Sequence, residues 1–520
     1  MTMSTDSPAK PAVKKIAVIG LMTFSIMNFT TIVSLRGLPS QAEYGLTSIF
    51  YFLFAAIVFL VPTALVAAEL ASAYPHQGGV FRWVSEAFGP RWGFAAMYYQ
   101  WQANVIWMPM GLTFGAACLA YVWWPQSFDS ALSMNKFYTV GFVLVAYWFV
   151  TLCSLRGVGT SSRLTSLGGL IGTIIPGIVL IFLGVAYVAL GKPIQMPLNT
   201  GFIPDLTNFH SMVLAAGIFL YFTGMEMQAQ YINHLPNPKR NYPLSILLSG
   251  ILTIGVFVLG TLAVGVVIPT KEINVAHSLL VAYHDLWAAI GVPWLGNVMA
   301  AMLVLGVVGQ ASAIQAGTST GLAAVGKAGY LPKLLQRSNA QGAPVGVLMF
   351  HACLVTLLCL VFAILPSVES TFQILAQMDA IMYLLMYLVL FPAAIRLRYS
   401  QPDAPRGFRI PGGNVTMWVL GVVGFAGTLS AVALSLTPPN QFSTGSAAIY
   451  VGIIAGGCAA FAAFPFVLEL FRKPSWKDPE SDFEPFEYEL AERRLGGAAQ
   501  APPAPPTRST LAPPAAPVLP

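Results

Sequence analysis

The chain has 520 residues, 56% of them hydrophobic and only 9% charged. A soluble domain carries about 25% charged residues, so a water-exposed globule of this length is excluded. The net charge of +6 fits basic loops on one side of a membrane better than a nucleic-acid surface.

Twelve apolar runs are long enough to cross a bilayer, which takes about 20 mostly apolar residues. The polar stretch 1–15 precedes them and reads as a cytoplasmic N-terminus with no cleavable signal. Span 1, residues 16–36, holds Ser25, Asn28, Thr30 and Thr31 at mid-depth. Span 2 covers 46–72, and span 3, 92–124, carries Gln100, Gln102, Asn104 and Trp107. Gln100 and Asn104 share a helix face at i, i+4; bonding to a neighbouring helix and lining a path weigh about equally for them. Trp123 and Trp124 read as interfacial anchors.

Span 4 covers 137–156 and span 5 covers 165–190, where Gly168 and Gly172 form a small-xxx-small pair that predicts close helix packing. Span 6, 207–233, contains "GIFLYFTGMEMQAQYINHLPNPKR", which places Thr223, Gly224 and Glu226 inside an apolar run. Span 7 covers 243–268. Residues 272–290 alternate apolar and polar at helical spacing and predict an external surface helix. Spans 8 and 9 cover 294–323 and 345–365, and His351 in span 9 reads as a satisfied packing group. Span 10, 370–396, carries Asp379, and spans 11 and 12 cover 414–437 and 447–471. The tail 472–520 is acidic and then Ala/Pro-rich, too poor in apolar residues to fold alone. A cover over the cytoplasmic vestibule is weighed for it against a tail with no role.

With the N-terminus inside, 22 of the 26 Lys and Arg are cytoplasmic. The exceptions are Arg36, Lys136, Lys192 and Lys271. Both termini are therefore expected in the cytoplasm. Cys118, Cys153, Cys353, Cys359 and Cys458 lie in apolar runs without ligand spacing, so neither disulfide, metal nor cofactor is expected. No phosphate-binding loop, and no GxSxG or HExxH in a soluble segment, points to an enzyme.

Spans 1 and 6 are both polar at mid-depth and stand five spans apart. Paired interrupted helices point to an inverted-repeat transporter with its site at the breaks. Unwound backbone survives in a membrane only where protein or a water-filled cavity satisfies it. Gly224 is expected to permit the break. Glu226 is expected to be functional, because an intramembrane carboxylate is costly unless used.

Four stretches carry a resemblance: "AELASAYPHQGGVFRWVSEAFGPRWGF" at 68–94, "YFTGMEMQAQYINHLPNPKRNYPLS" at 221–245, "GKAGYLPKLLQRSNAQGAPV" at 326–345 and "RGFRIPGG" at 406–413. Over residues 16–471 the chain resembles the amino acid–polyamine–organocation transporters, most closely the glutamate/γ-aminobutyrate antiporters. The resemblance implies an all-α integral membrane protein of 12 transmembrane helices: repeat 1 over 16–190, repeat 2 over 207–398, and two further helices over 414–471. Helices 1 and 6 are broken, and the two repeats are inverted. It further implies a substrate site drawn from Ser25, Met27, Asn28, Phe29, Thr30, Trp107, Phe219, Leu220, Phe222, Thr223, Gly224, Gln310, Tyr383 and Tyr387. Glu226 couples to protons in this reading. Where the antiporters carry an acid and a Trp in span 8, this chain has Gln310 and Ile314. Arg36 and Asp379 occupy positions like an Arg/Asp gate above the substrate in sodium-coupled transporters of similar fold.

The expectation is alternating-access transport in a bacterial inner membrane, exchanging an amino acid and a related amine, with proton-coupled uptake as the alternative. Partners are that substrate and the lipid bilayer, with a homodimer admitted and no nucleic acid.

Overall fold

The computed structural model describes residues 18–76, 78–123, 131–196, 201–204, 213–269, 273, 277–364, 368–437, 447–477, 481 and 483–490. The expectations for residues 1–15, Trp124, Lys271 and the tail beyond 490 lie outside them. The described residues form helices and no strand. Ten of these helices are long and apolar enough to cross a membrane, so the chain is a multi-pass membrane protein.

In chain order, α1 is Leu21–Ile32, α2 Leu38–Ala42, α3 Thr47–Ala73, α4 Val80–Phe88, α5 Pro90–Ala120, α6 Lys136–Leu155 and α7 Val158–Ala189. Then follow α8 Val213–Tyr221, α9 Pro238–Gly265, α10 Ser278–Ala289, α11 Leu295–Lys327, α12 Val345–Ile364, α13 Val368–Ser400, α14 Gly413–Ser435 and α15 Ala447–Leu470. Prolines open α5 and α9, where the missing N–H would be unpaired anyway. The Asn135 side chain caps α6, accepting from the Phe137 and Tyr138 N–H groups at 3.0 and 3.1 Å. The predicted surface helix is present as α10, with Leu279, Leu280, Tyr283 and Leu286 buried.

The centre of the molecule is α5. It is 94% buried over its apolar window, against 17% for α15, and α11 and α13 both pack along it. Apolar residues such as Ile57, Phe149, Phe182 and Ile251 face outward, as lipid contact requires. The Gly168 and Gly172 pair packs as predicted. A Cβ on Gly168 would stand 2.6 Å from the Leu305 carbonyl oxygen, and Gly172 lies against the Gly306 backbone. Small residues on both helices let α7 and α11 touch along their backbones.

Glu69, at the end of α3, is buried and fully engaged. Arg398 donates to both of its oxygens at 2.5 Å, Arg406 lies 3.2 Å away, and the Ile410 N–H donates at 2.8 Å. Two of the stretches singled out in the sequence, those after span 2 and before span 11, are thus joined by one carboxylate. Removing it would strand buried guanidinium charge, a loss of roughly 3–5 kcal/mol.

His351 corrects its expectation in part. It is buried between the rings of Trp101 and Tyr147, at 5.4 and 5.9 Å. Yet neither ring nitrogen has a hydrogen bond. It is a packing group without a hydrogen-bond partner, set against two aromatic rings.

The chain divides into two compact units, Met1–Phe483 and Glu484–Pro520. In the first, the segment after α15 lies back on the helical body: Arg472 covers the Tyr330 ring at 3.7 Å, and Gln336 donates to the Trp476 carbonyl at 2.8 Å. In the second, the rings of Phe486 and Tyr488 stack at 5.4 Å.

Candidate functional site

Two helices are interrupted. The first, α1, stops at Ile32; Val33 and Ser34 are extended, and a 3-10 turn over Leu35–Gly37 leads into α2. This break falls after the polar cluster that had suggested it. Ser25, Thr30 and Thr31 donate to the carbonyls four residues back, at 3.0, 2.7 and 2.7 Å, so their hydroxyls are satisfied inside an unbroken helix. The second, α8, ends at Tyr221, and a 3-10 helix over Met227–His234 follows. Gly224 sits between them at φ +104°, a conformation open to glycine and strained for other residues. Here the break is where the sequence put it.

The freed backbone groups are held by side chains. The Gly224 N–H donates to the Tyr387 hydroxyl at 3.0 Å. Gln310 Nε2 donates to the Thr31 carbonyl at 3.2 Å, and Gln228 Nε2 to Thr31 Oγ1 at 2.7 Å. The two interruptions are therefore tied to each other directly, by Gln228 on Thr31, while Gln310 of α11 holds the first and Tyr387 of α13 the second.

Glu226 lies at the second break, fully buried. Gln100 Nε2 donates to its Oε1 at 2.6 Å, the Tyr383 hydroxyl to the same oxygen at 2.9 Å, and the Tyr387 hydroxyl to Oε2. No cation pairs with it among the described residues. Tyr387 thus accepts from the unwound backbone at Gly224 and donates to the carboxylate, so the break and the acid share one hydroxyl. The neighbouring oxygen Gln100 Oε1 is buried without a hydrogen bond.

Above this cluster is a small cavity of about 40 Å³, walled by Thr31, Ile32, Ser34, Arg36, Asn104, Trp107, Leu220, Tyr221, Thr223, Met227, Gln310, Ile314, Asp379 and Tyr383. A water needs about 10–15 Å³ measured this way, so about three or four waters fit and an amino acid does not. Arg36, on the 3-10 turn after the first break, and Asp379, on α13, both line it and lie within electrostatic reach of each other. Arg36 stands 5.9 Å from the centre of the Trp107 ring. Asp379 Oδ2 is buried with no hydrogen bond.

Of the residues the sequence singled out, Thr31, Asn104, Trp107, Leu220, Thr223, Gln310, Ile314, Tyr383, Arg36 and Asp379 meet at this cavity. Gly224, Glu226 and Tyr387 form the layer beneath. The others stand elsewhere. Asn28 donates to Ser245 Oγ at 3.2 Å on α9. Phe219 packs on Phe59 at 5.5 Å, and Phe222 on Phe257 at 5.7 Å. Ser25, Met27, Phe29 and Thr30 are buried and absent from the cavity wall. The cavity also recruits Ile32, Ser34, Tyr221 and Met227, which sequence reasoning missed. Their signal was position beside a break: Tyr221 and Met227 flank the second, which the sequence marked, and Ile32 and Ser34 flank the first, which it did not.

The profile of the amino acid permease family matches residues 19–458. The chain is 36% identical over 450 residues to an uncharacterized transporter of Legionella pneumophila, covering 86% of this chain and 96% of that protein. It is 30% identical over 460 residues to a glutamate/gamma-aminobutyrate antiporter of Lactococcus lactis, covering 88% and 90%. It is 25% identical over 378 residues to a probable agmatine/putrescine antiporter of Lactococcus lactis, covering 72% and 78%. With a match across most of its length and a cavity at two interrupted membrane helices, this chain belongs to the amino acid permease family.

Proposed function

We propose that this chain is an alternating-access antiporter that exchanges an amino acid for a related amine. The observation that carries this reading is the small cavity at both helix breaks, which holds a cation, Arg36, and an acid, Asp379, on its wall. Those two groups complement the carboxylate and ammonium of a zwitterion, and Glu226 stands beneath them. The antiporters among the relatives, one named for an amino acid and its amine and one for two amines, support exchange. At 40 Å³ the cavity excludes its own substrate, so Trp107 and Leu220 must swing away on opening. Trp107, Leu220, Thr223, Gln310 and Tyr383 contact substrate in this reading, and Arg36 with Asp379 closes the cavity after entry.

The ten long helices, together with α12 and the interrupted stretch from Val213 to His234, support a reading of twelve crossings. Breaks five crossings apart support two inverted repeats, over 16–190 and 207–398. The basic-residue asymmetry supports cytoplasmic termini in a bacterial inner membrane. Single cysteines introduced at Ser443 and in the tail beyond residue 490 should label from opposite faces of intact cells; labelling from the same face would sink the topology and the repeats with it.

Counterflow in proteoliposomes tests the exchange. Vesicles preloaded with an amino acid or its decarboxylated amine should accumulate labelled external partner, and empty vesicles should not. Uptake into empty vesicles driven by an imposed pH gradient would instead identify proton-coupled uptake. A thermal-shift screen of amino acids and amines narrows the substrate beforehand, since a ligand held by the native state raises its apparent stability.

A further inference from the structure

On the membrane-facing side of α13 and α14, away from the transport cavity, lies a groove of about 760 Å³. Its floor and walls are apolar, from Pro392, Ile395, Val422 and Phe425. The groove exists because the two helices approach closely at Gly421, where a Cβ would stand 2.6 Å from Ile395 Cδ1. It runs along nine residues of α13, from Pro392 to Ser400, or about 12 Å for eight steps of 1.5 Å. The adjoining face of α14, with Val415, Val419 and Leu429 exposed, is ordinary lipid-contact surface.

One feature separates this groove from a plain lipid face. Arg396 lines it, exposed, with its guanidinium 5.3 Å from the centre of the Phe88 ring. Among the described residues no carboxylate pairs with Arg396, in contrast to Arg398 two positions on, which is buried against Glu69. At the groove's end the Trp418 indole N–H donates to the Tyr399 hydroxyl at 3.0 Å, and both rings are about half exposed. Tryptophan and tyrosine so placed mark the headgroup level of a bilayer. A cation beside an apolar channel at that depth matches a phospholipid with a negative headgroup, and basic pockets between membrane helices bind such headgroups.

We propose that the groove between α13 and α14 is a binding site for an anionic phospholipid, with its phosphate on Arg396 and one acyl chain along Ile395, Val422 and Phe425. The site does not depend on the exchange reaction or its substrate. It requires only that the chain sit in a bilayer.

Native mass spectrometry of the full chain, stripped of lipid in a neutral detergent, reads this directly. With phosphatidylglycerol and phosphatidylcholine of identical chains, the wild type should retain the former preferentially. Arg396→Ala should weaken phosphatidylglycerol retention about fivefold, the equivalent of roughly 1 kcal/mol per basic residue near an anionic surface, and leave phosphatidylcholine unchanged. Arg396→Gln, which keeps most of the side-chain stem, should behave the same way and replaces the alanine variant if that one does not fold. Ala426→Trp, which fills the groove from the lipid side, should lower retention with Arg396 intact. Glycerol 3-phosphate, with the charge but no chains, should not compete. Equal retention of the two lipids by the wild type, undiminished phosphatidylglycerol retention by both Arg396 variants or by Ala426→Trp, or full competition by glycerol 3-phosphate would each overturn the proposal.

Discussion

Replacing Glu226 by glutamine is expected to flatten the pH profile of transport while leaving the protein folded. The carboxylate accepts from Gln100, Tyr383 and Tyr387. Ionised, it is acceptor-only and suits three donors; protonated, it must itself donate. The two hydroxyls can reverse direction at no steric cost, so proton uptake rearranges this cluster without moving a helix. Tyr387 also accepts from the Gly224 N–H. Any reorientation of its hydroxyl therefore reaches the unwound backbone at the second break, which is the route by which we propose a proton would act on the transport path. Glutamine copies the size and cannot titrate. Its new N–H₂ needs an acceptor, and Gln100 Oε1, now without a hydrogen bond, supplies one if the Gln100 amide turns over. A single titrating group changes its minor form by about tenfold per pH unit. The wild-type rate should follow such a curve, and Glu226→Gln should stay within about twofold across the same range. Counterflow from pH 4.5 to 8, with melting temperatures of both proteins, measures it. An unchanged pH profile in a folded Glu226→Gln protein would assign the carboxylate to packing alone.

The second break was legible because Gly224 and Glu226 have no business in an apolar run unless the chain must turn and a charge must be held. The first was not. Ser25, Asn28, Thr30 and Thr31 look like an interruption, but serine and threonine hydroxyls bond to their own helix, and Asn28 bonds to the neighbouring α9. The actual break, Val33–Ser34, contains neither glycine nor proline. It is held open from outside, in part by Gln310, and a long-range partner leaves no mark in the local pattern. The same limit explains Gln100. Its position on the Asn104 face was plain, but its bond to Glu226 spans 126 residues of chain. Glycine spacing served better: Gly168 and Gly172 announced a close contact, though not that Gly306 and Gly309 would complete it.

Exchanging the charges of Arg36 and Asp379 is the sharpest test of the small cavity. Both face it from different helices, and Asp379 Oδ2 has no hydrogen bond to stabilise it. No ion pair shorter than 4 Å joins the two. What they share is a cavity wide enough for a few waters, and an opposite charge across it offsets burial only while both members are present. Arg36→Asp leaves two acids facing one another, and Asp379→Arg leaves two cations. Each isolated buried charge costs roughly 3–5 kcal/mol, so each single variant should lose about a hundredfold or more in exchange rate. The double exchange restores one charge of each sign and should recover at least about tenfold over the worse single variant. Recovery should be partial. Arg36 also stacks near Trp107, and an arginine on α13 cannot reproduce that contact from the other side of the cavity. Initial counterflow rates in proteoliposomes, scaled to inserted protein, give the comparison. A double variant no faster than the worse single one would mean that Arg36 and Asp379 act separately, and that the cavity is closed by Trp107 and Leu220 without help from charge.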